Sequence, residues 1–394
     1  MEKSDIKNDK VFQDYIEERR LKPRTIKSYL YHIYNYCQST KLLPSELLEE
    51  AEEEEENLIR LRKRKIKLHL KSFEKFMDQK EYSHTHQKTA MTVVRNFYGH
   101  FEIQLPQTIR NKTPQTHETY EDLPTIEELS KALSLCYGKY KPIFLTMLSS
   151  SMGASEVRNL KVKDFLNAIS NYFREPLILP LDMLQIRSKI NKKVFIGEWN
   201  IIRVKTSMPY VCFTSPEANF SILDYLEREP PKSIDDYLFP RSKEQGDEPI
   251  KENTFMVYFQ TLNKRAGLGK VNKYAKLHSH VFRKFYASKL LDKDIQQIHI
   301  DALLGHSVSN KTTGAYSKPT IQHLKHDYLK IVKDISIEEI EVKTMESPEY
   351  QELKEQYQSD SKAKEEEMAE MKRGLKVVKD LLLHSGVRKE LDKS

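Results

Sequence analysis

Three cysteines in 394 residues, Cys37, Cys136 and Cys212, lie far apart and in apolar surroundings. That is too few and too scattered for a disulfide framework or a cysteine-based zinc cluster, and it suits buried thiols in a reducing compartment. No apolar run reaches membrane-spanning length, and the start MEKSDIKNDKVFQDY lacks the apolar core of a secretory signal. The expectation is a cytoplasmic protein with no membrane contact and no metal site.

What is present is charge. Charged residues make up 31% and hydrophobic ones 38%, with a formal net charge of +7, a mean hydropathy of -0.67 and a pI near 8.9. Such a balance fits a polyanionic partner without demanding one. The chain is long enough for two or three domains, each with its own core.

Residues 8 to 110 read as helices. In PRTIKSYLYHIYNYC, Pro23 precedes an expected N-cap at Thr25, and Ile26, Tyr29, Leu30 and Ile33 follow at helical spacing. Arg20, Lys22, Arg24 and Lys27 gather at or before this helix start. The acidic run EEAEEEEE then switches to RLRKRKIKLHLKSFEKF, where Leu61, Ile66, Leu70 and Phe73 could form a buried stripe. Arg60, Arg62, Lys63, Arg64, Lys65, Lys67 and Lys71 cover the rest, seven cations within twelve residues. Such a run reads either as a solvated face or as a surface that tracks phosphates.

NKTPQTHETYEDLPT, with two prolines and little apolar content, marks a boundary. The expected organisation is a helical domain over 1–112, a linker over 113–124, a second domain over 125–335 and a helical tail over 336–394. The second domain reads as mainly α with a small antiparallel sheet. Its strands lie in EWNIIRVKTSMPYVCFTSPEA, where Trp199 and Ile201, with Arg203 and Lys205 behind them, alternate before a polar turn, and Tyr210, Cys212 and Thr214 alternate after it. In the tail, Tyr350, Leu353 and Tyr357, then Met368, Met371, Leu375, Val378 and Leu382, recur at three-and-four spacing. A self-associating coiled coil and a solvated helix both fit.

KLHSHVFRKFYASKLL places His280 and Arg283 three apart, on one face of a helix. LLGHSVSNKTTGAY follows, with His306 and Tyr316 on either side of a polar tract. Each piece alone has a bland reading: a surface His and Arg pair, or a helix ended by Gly305 and a loop. In this order they resemble the catalytic region of the tyrosine recombinases, the integrases of phages, viruses and mobile elements. IIRVKTSMPYVCFTSPEA resembles the family's strand and turn with an active-site lysine, which places that residue at Lys205. Lys-Thr followed by Phe and Ser-Pro-Glu-Ala is most similar to archaeal members. The resemblance covers roughly residues 8 to 335, the helical first domain being similar to the family's core-binding domain.

The resemblance implies a two-domain clamp around double-stranded DNA, assembled as a tetramer on its attachment sites, for integration or excision of a mobile element. It makes Tyr316 the nucleophile, Arg283 the guanidinium at the scissile phosphate, His280 and His306 donors and proton carriers, and Lys205 the acid for the departing oxygen. The chemistry needs these types. A phenol oxygen can form a phosphotyrosyl ester that a DNA hydroxyl later reverses, with no cofactor, and guanidinium forks match non-bridging oxygens in pairs. The basic residues of the first domain would contact phosphates.

The family's second essential arginine falls in SSSMGASEVRNLKVKDF, where Gly153 stands at its position. A divergent or inactive recombinase, an engineered substitution, or another cation filling the gap each accounts for this. Arg158 is nearest, but five residues along a helix project roughly 140° away. Loss of such a donor costs about 3 to 4 kcal/mol at the transition state. The alternatives to a DNA-cleaving recombinase are a non-catalytic DNA-binding protein on the same fold and a type IB topoisomerase.

Overall fold

Proline, capping and apolar spacing set the helices of the amino-terminal part. In the computed structural model, which describes residues 1–106, 122–190, 195–242, 246–272, 274–306 and 319–337, the chain divides into two compact units, residues 1–117 and 118–394. The linker read at 113–124 lies mostly outside the described residues, as does the tail beyond residue 337.

The first unit holds α1 (Lys3–Asn8), α2 (Lys10–Glu18), α3 (Pro23–Thr40), α4 (Pro44–Glu56), α5 (Lys65–Gln79) and α6 (His84–His100). Asp9 caps α2, accepting from Phe12 N at 3.1 Å. Its other oxygen accepts from the Ser45 hydroxyl at 2.7 Å, tying α2 to the start of α4. Helix α3 starts at Pro23 with extended Lys22 as its N-cap, three residues before the cap expected at Thr25. Proline fits the first helical position because its φ is preset and its missing N–H has no helical acceptor there. Ile33, Tyr36, Phe73, Phe97 and Tyr98 are buried together, and the Tyr36 and Tyr98 hydroxyls meet at 3.1 Å inside.

His32 is buried at 5% exposure in this unit, 5.0 Å from the His86 ring, and its Nδ1 has no hydrogen-bond partner. Burial, then the neighbouring His86, lowers its pKa from 6.5 to about 4. A native state that refuses the proton loses stability as pH falls from 6.5 toward 4, because the unfolded chain accepts it. The loss is at most about 3 kcal/mol for a shift of this size. Thermal melts between pH 7 and pH 4.5 should show a drop that His32→Leu reduces; an unchanged pH slope in that variant would exclude His32 as its source.

The second unit contains α7 (Ile126–Ser134), α8 (Tyr140–Ser150), α9 (Ala154–Asn159), α10 (Val162–Ala168) and α11 (Met183–Ile190), then strands β1 (Gly197–Ile202) and β2 (Pro209–Thr214). Helices α12 (Pro216–Arg228) and α13 (Glu252–Ala266) follow, then a short ladder of β3 (Lys270–Val271) and β4 (Tyr274–Ala275), and α14 (Val281–Leu291), α15 (Gln297–Leu303) and α16 (Ile321–Ile331). The unit is mostly helical with a small antiparallel sheet, as the pattern predicts; the two-residue ladder was not legible.

Strands β1 and β2 pair antiparallel, with Trp199 opposite Cys212 and Ile201 opposite Tyr210. These side chains are buried while Asn200 and Ile202 face out, so period-two alternation sets the inner face. Trp199 Nε1 donates to Thr214 Oγ1 at 2.8 Å, and Asn219 Nδ2 donates to the Phe195 carbonyl at 2.6 Å. Ser215 caps α12 by accepting from Ala218 N at 3.3 Å, with Pro216 in its first turn. The Ser-Pro-Glu-Ala stretch is thus a strand exit and helix start in one. Helix α8, buried along its length, packs against α12 and α14.

Candidate active site

Three chain segments distant in sequence meet at the end of α15. Leu304 is its C-cap, and Gly305 follows with φ +60°. His306 N donates to the Asp301 carbonyl at 2.8 Å and Gly305 N to the Ala302 carbonyl at 3.0 Å. This paired closure is a Schellman motif, and it favours glycine at the left-handed position. A second constraint acts there: a Cβ on Gly305 would lie 2.7 Å from Cγ of the Tyr210 ring. The glycine therefore lets the turn rest directly on β2, and His306 leaves it toward solvent.

Arg283, one turn into α14 and 8% exposed, reaches the same turn. Its Nη1 donates to the Ser151 carbonyl at 2.9 Å, and its Nη2 to the Leu304 carbonyl. Ser151 lies just past α8 with φ +60°, and its hydroxyl donates to the Leu303 carbonyl at 3.0 Å. The end of α8, helix α14 and the α15 turn are thus pinned together by one guanidinium and one hydroxyl. Burial, followed by the nearby Arg203 cation, lowers the pKa of Arg283.

The hairpin brings the third segment. Arg203 N donates to the Met208 carbonyl at 2.9 Å and Ser207 N to the Arg203 carbonyl at 2.7 Å, closing the turn. Arg203 Nη1 donates to the Gly305 carbonyl at 2.7 Å. Lys205 stands exposed in this turn. Val204 N donates to Glu156 Oε1 at 3.2 Å, tying the hairpin to α9.

Gly153 is the extended N-cap of α9, and a Cβ there would lie 2.4 Å from Glu156 Oε2. The Glu156 carboxylate fills the space where a side chain at 153 would begin. Arg158 points away, its Nε donating to the Ile250 carbonyl at 2.6 Å, as the helical projection predicts. His306 Nδ1 lies 3.6 Å from Asp301 Oδ1. Partial burial, then Arg283 and Arg203, holds the His306 imidazole below its usual pKa. It is neutral at pH 7, able to donate from one nitrogen and accept at the other. His280 is exposed at the N-cap of α14, one turn before Arg283. Tyr316 lies outside the described residues.

Sequence reasoning treated Arg203 as one alternating strand residue and gave Glu156 no role. Two cations two residues apart at the base of a tight hairpin turn were the available signal for Arg203.

In the first unit, Arg20, Lys22, Arg24, Lys27, Arg60, Arg62, Lys63 and Lys71 are exposed and Lys67 is half-buried. Arg64 departs from the expected basic surface: it is buried, donating Nε to the Ile59 carbonyl at 2.9 Å and pairing with Glu55. Lys65 is exposed, with Nζ 2.6 Å from Glu50. Both Glu54 oxygens accept from Lys65 N at 3.0 Å. The acidic run thus supplies carboxylates to the start of α5, where unpaired N–H groups and the helix dipole favour them. Among the described residues no helix is long and apolar enough to cross a membrane.

Residues 121–323 match the model of the phage integrase family. The chain belongs to that family, whose members are tyrosine recombinases. No curated protein matches it. Among solved structures, it is similar to the Lambda integrase bound to DNA, at 12% identity and a TM-score of 0.49 over 76% of this chain and 90% of that one. It is also similar to the XerH site-specific recombinase in a post-cleavage complex with palindromic difH substrate, at 15% identity and a TM-score of 0.47, covering 82% and 89%. A third is the Tn1549 transposon integrase with transposon right end DNA, at 14% identity and a TM-score of 0.47, covering 82% and 99%.

Proposed function

We propose that the protein is a site-specific recombinase that cleaves and rejoins double-stranded DNA through a covalent 3′-phosphotyrosyl intermediate. The Tyr316 phenol oxygen forms a bond to phosphorus as the bond from phosphorus to the 5′ oxygen breaks. The phenol gives up its proton, and Lys205 supplies one to the 5′ oxygen. Attack by a 5′-hydroxyl later reverses the step, so the energy of the phosphodiester is retained and no cofactor is consumed. Arg283 binds the non-bridging oxygens, where charge builds up, while His280 and His306 donate to them and relay protons. Arg20, Lys22, Arg24, Lys27 and the exposed cations from Arg60 to Lys71 hold the DNA backbone, with protomers assembling as a tetramer on two attachment sites.

One observation carries the reading: Arg283 and His306 meet at the Leu304–Gly305 turn, against the hairpin that holds Lys205. The test uses nicked duplexes built from DNA flanking the gene. An SDS-resistant adduct, digested and mapped by mass spectrometry, should carry its nucleotide on Tyr316. An adduct on another residue, or none on DNA that the protein binds, would count against the reading. A second reading, a DNA-binding protein without chemistry, is favoured by Gly153 and the carboxylate that fills its space. Tight binding without an adduct is its expected result.

A further inference from the structure

We infer that Arg203 supplies the second guanidinium at the scissile phosphodiester, replacing the side chain that position 153 lacks. The inference rests on the recombinase reading above. Arg203 and Arg283 donate to consecutive carbonyls, those of Gly305 and Leu304, on the turn that presents His306. Both cations therefore sit at the end of the same helix, next to a residue that faces solvent. The acceptor of Arg203 there is a neutral carbonyl, which holds one end of the guanidinium without cancelling its charge.

The backbone of Arg203 is held through both its N–H and its carbonyl. Two hydrogen bonds close the hairpin turn on it, and the Glu156 carboxylate holds the next amide. Guanidinium groups kept this close repel, and burial followed by this repulsion lowers the pKa of Arg283 and of His306 beside them. Glu156 offsets part of it on Arg283. An oxyanion with two non-bridging oxygens offsets the rest, which makes a DNA phosphodiester the fitting ligand. Arg158, the other nearby arginine, is turned toward Ile250.

The experiment compares rates of adduct formation on the nicked duplex for the full-length protein and for Arg203→Gln, Arg203→Lys, Gly153→Arg and Arg203→Gln with Gly153→Arg. Glutamine removes the charge, and thermal melting of each variant reports any structural loss separately from the rate of the reaction. Arg203→Gln should slow the reaction by about 10²- to 10³-fold, with thermal melting unchanged and a loss of affinity for the same duplex far smaller than the loss of rate, and Arg203→Lys should fall between. Gly153→Arg should restore Arg203→Gln by at least about tenfold, because a guanidinium is then supplied from the position at which the resemblance places the family's arginine. A wild-type rate for Arg203→Gln, or no restoration by Gly153→Arg, overturns the inference. An adduct from Gly153→Arg but none from the natural protein also overturns it, leaving the recombinase reading intact. If neither yields an adduct on DNA that both bind, both proposals fall.

Discussion

Arg283→Ala should slow adduct formation by about 10²- to 10³-fold and also lower stability by about 2 to 4 kcal/mol. The two effects share one cause. The guanidinium is buried and spends donors on the Ser151 and Leu304 carbonyls, so its removal leaves two acceptors unsatisfied in a region that water reaches poorly. Arg283→Lys should recover much less than charge alone suggests. One ammonium cannot present a planar fork that spans two carbonyls and a phosphate. Chemical denaturation together with single-turnover kinetics separates the contributions. Should Arg283→Ala unfold at the wild-type denaturant concentration, the bridge between α8 and the α15 turn would have no energetic weight.

Gly305→Ala should cost about 2 to 5 kcal/mol, large for one methyl group. Residue 305 sits at φ +60°, where a Cβ costs about 1 to 2 kcal/mol. The new atom also falls within 2.8 Å of Cγ and Cδ1 of the Tyr210 ring, adding an overpacking cost of about 1 to 3 kcal/mol. Relief comes only by lifting the turn off β2, which moves the carbonyls that orient Arg203 and Arg283. A double-mutant cycle with Tyr210→Ala tests this: the cost should shrink toward the backbone contribution alone. An equal cost in both backgrounds would mean that the ring is not what excludes the side chain.

How far the sequence led depended on the range of the interaction. The alternation of Trp199 and Ile201 with Tyr210, Cys212 and Thr214 is local, and the paired strands follow it. A glycine after LL in an otherwise apolar helix end signals a left-handed cap, and Gly305 is one. The bond from Arg203 to the Gly305 carbonyl spans about a hundred residues of sequence, and no periodicity encodes such a pairing. Arg64 failed for a related reason. Within a run of like charges, composition treats every member alike, whereas the path of the chain from α4 to α5 turns one of them inward onto Glu55. The start of α3 shows local rules competing, with the preset φ of Pro23 prevailing over the capping oxygen of Thr25.

Glu156 couples two parts of the site, position 153 and the hairpin turn. Its carboxylate stands where a side chain at position 153 would begin, while its other oxygen holds the hairpin amide next to Arg203. A side chain placed at 153 meets that carboxylate first, so a substitution there is felt at the hairpin amide. One carboxylate thus makes position 153 and the hairpin mechanically dependent on each other, although they lie about fifty residues apart in sequence.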